Sequence, residues 1–192
     1  MEISPLQPTP VGAFRFNTDS SKLEYYDGNQ WVNVTSDSPE ANTGGTRGLW
    51  IGGGPTNDNT IDYISIATGG DAINFGDLVG TDHRQGGNLA SRTRGVHGGG
   101  YDGSSTLNTI DYVTIASTGD ATDFGDITDE IDYLGACASS TRGVNAGGQS
   151  PRKINNIEYV TIATTGNVTD FGDLTNTRRF CAGFSDCHGG LG

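Results

Sequence analysis

The sequence predicts an all-β protein: a small N-terminal β module followed by three four-stranded repeats. Three observations carry this. First, helix formers are scarce, with two lysines and one methionine in 192 residues, while 31 glycines sit among abundant Thr, Asp, Asn and Ser. That is the composition of short strands joined by turns. Second, apolar residues alternate with polar ones, as in TIDYISIA (60–67), which is the period of a strand with one covered face. Third, one stretch is spelled three times: TIDYISIATGGDAINFGDL (60–78), TIDYVTIASTGDATDFGDI (109–127) and NIEYVTIATTGNVTDFGDL (156–174). Low hydrophobicity with high net charge also favours disorder, but the regular alternation argues for a packed chain.

Taken in order, residues 1–10 hold Pro5, Pro8 and Pro10 and read as an extended tail. Residues 11–36 form the N-terminal β module: Phe14 and Phe16 alternate with polar neighbours, and Leu23, Tyr25 and Tyr26 are followed by Asp27-Gly28-Asn29 and then Trp31, Val32 and Val34. Asp-Gly between two alternating runs is a hairpin signal. Three strands bury little by themselves, so the module needs a partner. Residues 37–45 read as a polar linker.

The repeats fill 46–192, divided as 46–92, 93–140 and 141–192. Thr46-Arg47-Gly48 returns as Thr93-Arg94-Gly95 and Thr141-Arg142-Gly143, and Tyr63, Tyr112 and Tyr159 step by 49 and 47 residues. Such a period suits a propeller blade. Within a unit the expected strands are RGLWIGGG or its equivalent, then TIDYISIA, a Thr-Gly turn (68–69, 118–119, 165–166), then AINFGDL. A weaker fourth strand closes each unit: GGNLASRT, LGACASST and FCAGFSDC. A lone four-stranded sheet leaves its faces bare, so stacked copies must repeat one face chemistry. Tyr63, Tyr112 and Tyr159 with Phe75, Phe124 and Phe171 are the expected repeat core. Arg47, Arg94 and Arg142 are expected to pair with carboxylates of the adjacent repeat, a bidentate contact that fixes register; solvated arginines are the alternative.

The formal net charge of −12 repels phosphate, which argues against nucleic-acid binding and attraction to anionic membranes. No run of about 18 apolar residues predicts membrane insertion, and MEISPLQPTP lacks the basic and apolar regions of a secretory signal. Cys137, Cys181 and Cys187 are odd in number and irregular in spacing, so no disulfide framework is implied. Cys181, Cys187 and His188 match no zinc spacing. The Asp-Phe-Gly triplets at 123–125 and 170–172 recur with the repeat and lack the lysine and catalytic loop of a kinase. Asp77, Asp126 and Asp173, and Asp62, Asp111 and Glu158, recur at equivalent places; turn capping is expected of them, calcium binding being the alternative. His83, His97 and His188 sit in unlike contexts with no nucleophile–base spacing. The expectation is therefore no catalytic, cofactor or metal site. The loops NDNT, DGSSTLN and QSPRKIN vary between copies and mark a partner-facing edge.

A glycine doublet after a short strand, then a tyrosine and a large aromatic, resembles the kelch repeat of β-propellers, with Phe75, Phe124 and Phe171 where kelch has tryptophan. More closely, RGV..GG, IEYVTIATTGN and TDFGDLT resemble kelch-like arrays of virion structural proteins of marine phages, cyanophages especially. PVGAFRFNTDSSKLEYYDGNQWVNV (10–34) resembles the β module that opens many phage tail-fibre and appendage proteins, with Phe14, Phe16, Tyr25 and Trp31 as its marker residues. The resemblance implies a non-catalytic virion protein on the tail or capsid surface. Its N-terminal module would attach to other virion proteins and its repeats would contact a host surface glycan or receptor. A capsid-decorating protein and a carbohydrate-active or oxidase-like propeller enzyme are the alternatives. Propellers carry about four to eight blades, so three repeats are not expected to close alone: a homo-oligomer is expected, a trimer first, the alternatives being a second chain that supplies the remaining blades, units stacked without a ring, or a longer parent protein cut at Gly192.

Overall fold

A computed structural model describes residues 9–19, 22–34, 45–53, 59–80 and 84–185. The chain is all-β among these residues and divides into two compact units, 1–44 and 45–192. No helix of the described residues is long and apolar enough to cross a membrane. Most of the expected tail and linker, Cys187, His83 and His188 lie outside the described residues.

The first unit is an antiparallel meander of β1 (Phe14–Asn17), β2 (Lys22–Tyr26) and β3 (Trp31–Asn33). Asp27 turns the second hairpin: its carboxylate accepts the amides of Asn29 and Gln30 at 2.8 and 2.7 Å, and Gly28 supplies a positive φ of 102°. Those two amides hold the Asp27 carboxyl below the usual carboxylate range.

The second unit is a row of three blades. Blade one is β4 (Arg47–Ile51), β5 (Thr60–Ser65) and β6 (Ile73–Asp77), in that spatial order. Blade two is β7 (Gly87–Ala90), β8 (Arg94–Tyr101), β9 (Thr106–Thr114) and β10 (Thr122–Asp126), neighbours in sequence order. Blade three is β11 (Gly135–Ala138), β12 (Arg142–Ala146), β15 (Asn156–Thr161) and β16 (Thr169–Asp173), with a small hairpin of β13 (Gln149–Ser150) and β14 (Arg152–Lys153) inserted.

The phase of the blades corrects the repeat boundaries expected from sequence. GGNLASRT does not close the first unit; its strand β7 pairs with β8, Gly87 opposite Gly98 and Ala90 opposite Gly95, and so opens the second blade. Likewise β11, from LGACASST, opens the third. Connection length is the reason. Ala90 and Arg94 are joined by a tight turn in which the Ser91 amide donates to Arg94 O at 2.9 Å, and Ser139 does the same to Arg142 O at 2.8 Å. A short turn makes antiparallel neighbours, whereas the links from β6 to β7 and from β10 to β11 are long enough to cross to another sheet. FCAGFSDC forms no strand over residues 180–185, and its last residues lie outside the described ones.

The cores lie between blades. Ile61, Phe75 and Leu78 of blade one pack on Val113 of blade two. Ile110, Phe124 and Ile127 of blade two pack with Val160 and Ile162 of blade three. Strand alternation explains this pairing. In β5 and β9 the Ile and Tyr positions point to the following blade, while Val113 of β9 and Val160 of β15 point to the preceding one.

A main-chain ladder joins the blades. The Gly119 amide donates to Phe75 O at 2.8 Å and the Ala121 amide to Asp77 O at 2.8 Å; one blade further on, Gly166 donates to Phe124 O at 2.7 Å and Val168 to Asp126 O at 3.0 Å. The Phe-Gly step sits at a register shift in the hairpin, between Asp123 and Gly125 in blade two, which is a bulge that turns its carbonyls outward. A Cβ on Gly76 would stand 2.3 Å from Gly119 O, and one on Gly125 would stand 2.5 Å from the Gly166 carbonyl carbon. Only glycine admits the neighbour's backbone there. The repeat spacing places Gly70, rather than the Gly69 of the expected Thr-Gly turn, in line with Gly119 and Gly166.

Gly125→Ala therefore faces both a left-handed φ of 146° and a backbone overlap. We expect it to cost about 2–5 kcal/mol in urea unfolding, more than the ~1–2 kcal/mol of the left-handed conformation alone. A loss of only ~1 kcal/mol would show that the blades do not meet this closely.

Candidate interaction surfaces

Each blade carries the same three-layer stack of Arg, Tyr and Phe. Tyr63 meets Phe75 edge to face at 5.9 Å, Tyr112 meets Phe124 at 5.8 Å and Tyr159 meets Phe171 at 5.8 Å. The guanidiniums of Arg47, Arg94 and Arg142 lie over those tyrosines at 4.8, 4.4 and 4.4 Å, within the range of a favourable cation–π contact.

The arginines do not take the carboxylate partners expected of them. Arg47 donates to Ile115 O and Arg94 to Ile162 O, each at 2.8 Å and each across to the next blade. The stacked ring holds the guanidinium at the blade edge, within reach of the main-chain carbonyl just past the end of the neighbour's central strand. Arg142 has the ring contacts, including Phe171 at 5.8 Å, and is exposed.

The acidic side chains join blades as well. Asp111 is buried and accepts the Val79 amide of the preceding blade at 3.2 Å. Asp120 accepts the Asp77 amide, and Asn167 the Asp126 amide, each at 3.1 Å. Asp120, Asn167 and the Thr-Gly glycines were not singled out from sequence as joining residues. The signal was present, since an Asx residue follows the turn glycine in every copy (Asp71, Asp120, Asn167). Asp77 and Asp126 contribute main chain to the seam rather than carboxylates.

The aromatic stack has unequal cover. Phe75 and Phe124 are each 2 % exposed, whereas Phe171 is 54 % exposed. An apolar cleft of about 390 Å³ lies over blade three, lined by Val144, Ile157, Phe171, Leu174 and Cys181 among others. Cys137 and Cys181 are free thiols. Among the described residues no three His, Cys, Asp or Glu side chains converge as a metal site would require. His97 is buried, with Nδ1 2.8 Å from Asn88 Oδ1.

The loop edge is formed by the connections from β4 to β5, from β8 to β9 and from β12 to β15. Asp102 caps its hairpin by accepting the Ser104 and Ser105 amides at 2.7 and 2.6 Å. The equivalent loop of blade three carries β13 and β14, with Arg152 and Lys153 exposed. The first two residues of NDNT (57–60) lie outside the described residues.

The N-terminal module has two unlike faces. Register pairs Phe14 with Tyr25 and Phe16 with Leu23, and alternation puts these four side chains on one face. Phe14 is 67 % and Phe16 63 % exposed, and Leu23, Tyr25 and Val34 are exposed beside them. The opposite face is a closed polar network. Arg15 Nε donates to Glu24 at 2.7 Å, Asn17 donates to Glu24 at 3.0 Å, and the Arg15 guanidinium lies over Trp31 at 4.3 Å. The hydrogen bonds from Asn17 and then Arg15 hold the Glu24 carboxyl below its usual range. Trp31 thus stands on the polar face, packed on Tyr26 at 5.5 Å, and apart from Phe14, Phe16 and Tyr25.

No family model matches the chain, and no curated protein matches it.

One buried carboxylate gives the fold a pH dependence. Asp132 lies at the turn into β11 and is 6 % exposed; its main chain pairs with Gln149, and its Oδ1 has no hydrogen-bond partner. Burial pushes its carboxyl above the ordinary value of 3.8, with its own main-chain amide and then Arg179 acting in the opposite direction. A raised folded-state value means that the native chain binds the proton more tightly than the unfolded one. The stability it contributes is full below the ordinary value and is lost as pH rises through the raised one. Asp132→Asn should consequently be more stable than the native chain at pH 7, with the gain shrinking as pH falls toward about 4. Paired urea titrations at the two pH values check this; equal stabilities at pH 7 would contradict it.

Proposed function

We propose that the chain is a non-catalytic structural protein of a phage virion, tail-fibre-like or appendage-like, fixed to the particle through its N-terminal module. The observation that carries this is the exposed apolar face of Phe14, Phe16, Leu23, Tyr25 and Val34 on a three-stranded sheet. Such a sheet is too small to be stable by its own burial, and a contiguous apolar face of this kind marks a protein contact. Its partner would be another virion protein. The resemblance of residues 10–34 to phage appendage modules, and of the repeats to marine phage virion arrays, supports the same assignment. The repeated carboxylates point the same way, since Asp111 and Asp120 are spent on main-chain contacts between blades. In this role the repeats form the distal part, and the variable loops at 102–105 and 149–153 face the host surface. A capsid-decorating protein would use the same module, and the place of attachment separates the two.

Antibodies to the repeat unit, imaged with gold on purified virions, should label the particle, at the tail for an appendage and over the shell for a decoration. Added chain should rebind particles that lack it, and Phe14→Ser with Phe16→Ser should abolish rebinding. Unlabelled virions, or rebinding that both serines leave intact, would overturn the proposal.

A further inference from the structure

The two ends of the blade row are complementary. Blade three presents the face that blades one and two bury: Phe171 is 54 % exposed where Phe75 and Phe124 are each 2 % exposed. A Cβ on Gly172 would meet nothing within 4 Å, although its equivalents Gly76 and Gly125 are filled by the next blade's backbone. Blade one presents the opposite face. Ile66 is 65 % exposed where its equivalent Ile162 is 1 % exposed, and Trp50 is exposed where its equivalent His97 is buried.

The arginine, glycine-amide and Asx groups of the seam are all present on these open faces. In the two formed seams the arginine of one blade reaches the carbonyl of Ile115 or Ile162 in the next, and the repeat places Arg142 on blade three and the Ile66 carbonyl on blade one. The Gly119 and Gly166 amides have their counterpart in Gly70, those of Ala121 and Val168 in Ala72, and the acceptors Asp120 and Asn167 in Asp71. On the receiving side Phe171 and Asp173 stand in line with Phe75 and Asp77. The acidic residue at that seam is no obstacle, since Asp77 and Asp120 already meet across the first one.

We propose that a second copy of this chain docks head to tail, the third blade of each copy receiving the first blade of the other. Two copies supply six blades, within the about four to eight that close a propeller, whereas the trimer expected of a fibre would supply nine. Both contacts of the closed pair are then equivalent by the two-fold axis. This does not rest on the virion assignment, and it is tested on the purified chain alone.

Light scattering in 0.15 M salt, where repulsion between the acidic copies is screened, should give twice the 20.0 kDa chain mass. Ile66→Glu and Phe171→Glu alter exposed side chains, so the chain should still fold, and each should return the mass to that of one chain. The pair Asp71→Cys and Asp173→Cys should give a two-chain species on a non-reducing gel, absent from either single variant. Asp77→Cys with Asp120→Cys calibrates the bridge within one chain. A native mass of one chain or of three, or a pair that survives both glutamates without cross-linking, would overturn the proposal.

Discussion

The blade row depends on one close approach of main chain to main chain: the turn glycine of one blade donating into the Phe-Gly bulge of the blade before it. Gly119 and Gly166 donate, and Gly76 and Gly125 leave the room. This contact covers the outer edge of blades one and two, and an open sheet edge is the chief liability of a small β-sheet. It also sets the spacing at which Ile61, Phe75 and Leu78 reach Val113, and at which Ile110, Phe124 and Ile127 reach Val160 and Ile162. The arginines follow from it, since Arg47 and Arg94 reach a carbonyl of the next blade only when the blades stand at this distance. Among the described residues both core clusters draw on two adjacent blades, so each blade's stability is largely a nearest-neighbour term.

Much of this was legible in the sequence. The all-β class, the strand-like alternation of TIDYISIA and the repeat period rest on residue type and spacing, and the blades follow them. The phase of the repeat was not legible. Arg-Gly looks like a beginning because it is the most regular signal, yet the chain begins each of the last two blades one strand earlier, at Gly87 and Gly135. What decides the phase is the length of the connection on either side, and a short turn such as Ser91 to Arg94 carries little sequence signal when Ser and Thr are everywhere. The arginine partners were misjudged for a related reason. Charge complementarity suggests carboxylates, but a backbone carbonyl has no signature in sequence, and Ile115 and Ile162 offer only theirs. The two faces of the N-terminal module follow from simple alternation, which already separates Trp31 from Phe14 and Phe16 through the register of Tyr26 with Trp31.

A repeat built this way ends in unlike faces. Among the described residues the bulge of the third blade meets no turn, and the exposed Phe171 at one end of the row and Ile66 at the other differ in kind. The apolar face of the N-terminal module is a second and chemically different surface, without repeated arginines or glycine sockets.

The central claim is that the blades are joined through these glycine amides. Native-state hydrogen exchange, read residue by residue, tests it most directly. The account predicts that the Gly119, Ala121, Gly166 and Val168 amides exchange only through the large opening that also frees the β9 and β15 amides, although the residues stand in surface turns. Exchange of these four amides at the rate of ordinary exposed turns, with β9 and β15 still protected, would contradict it.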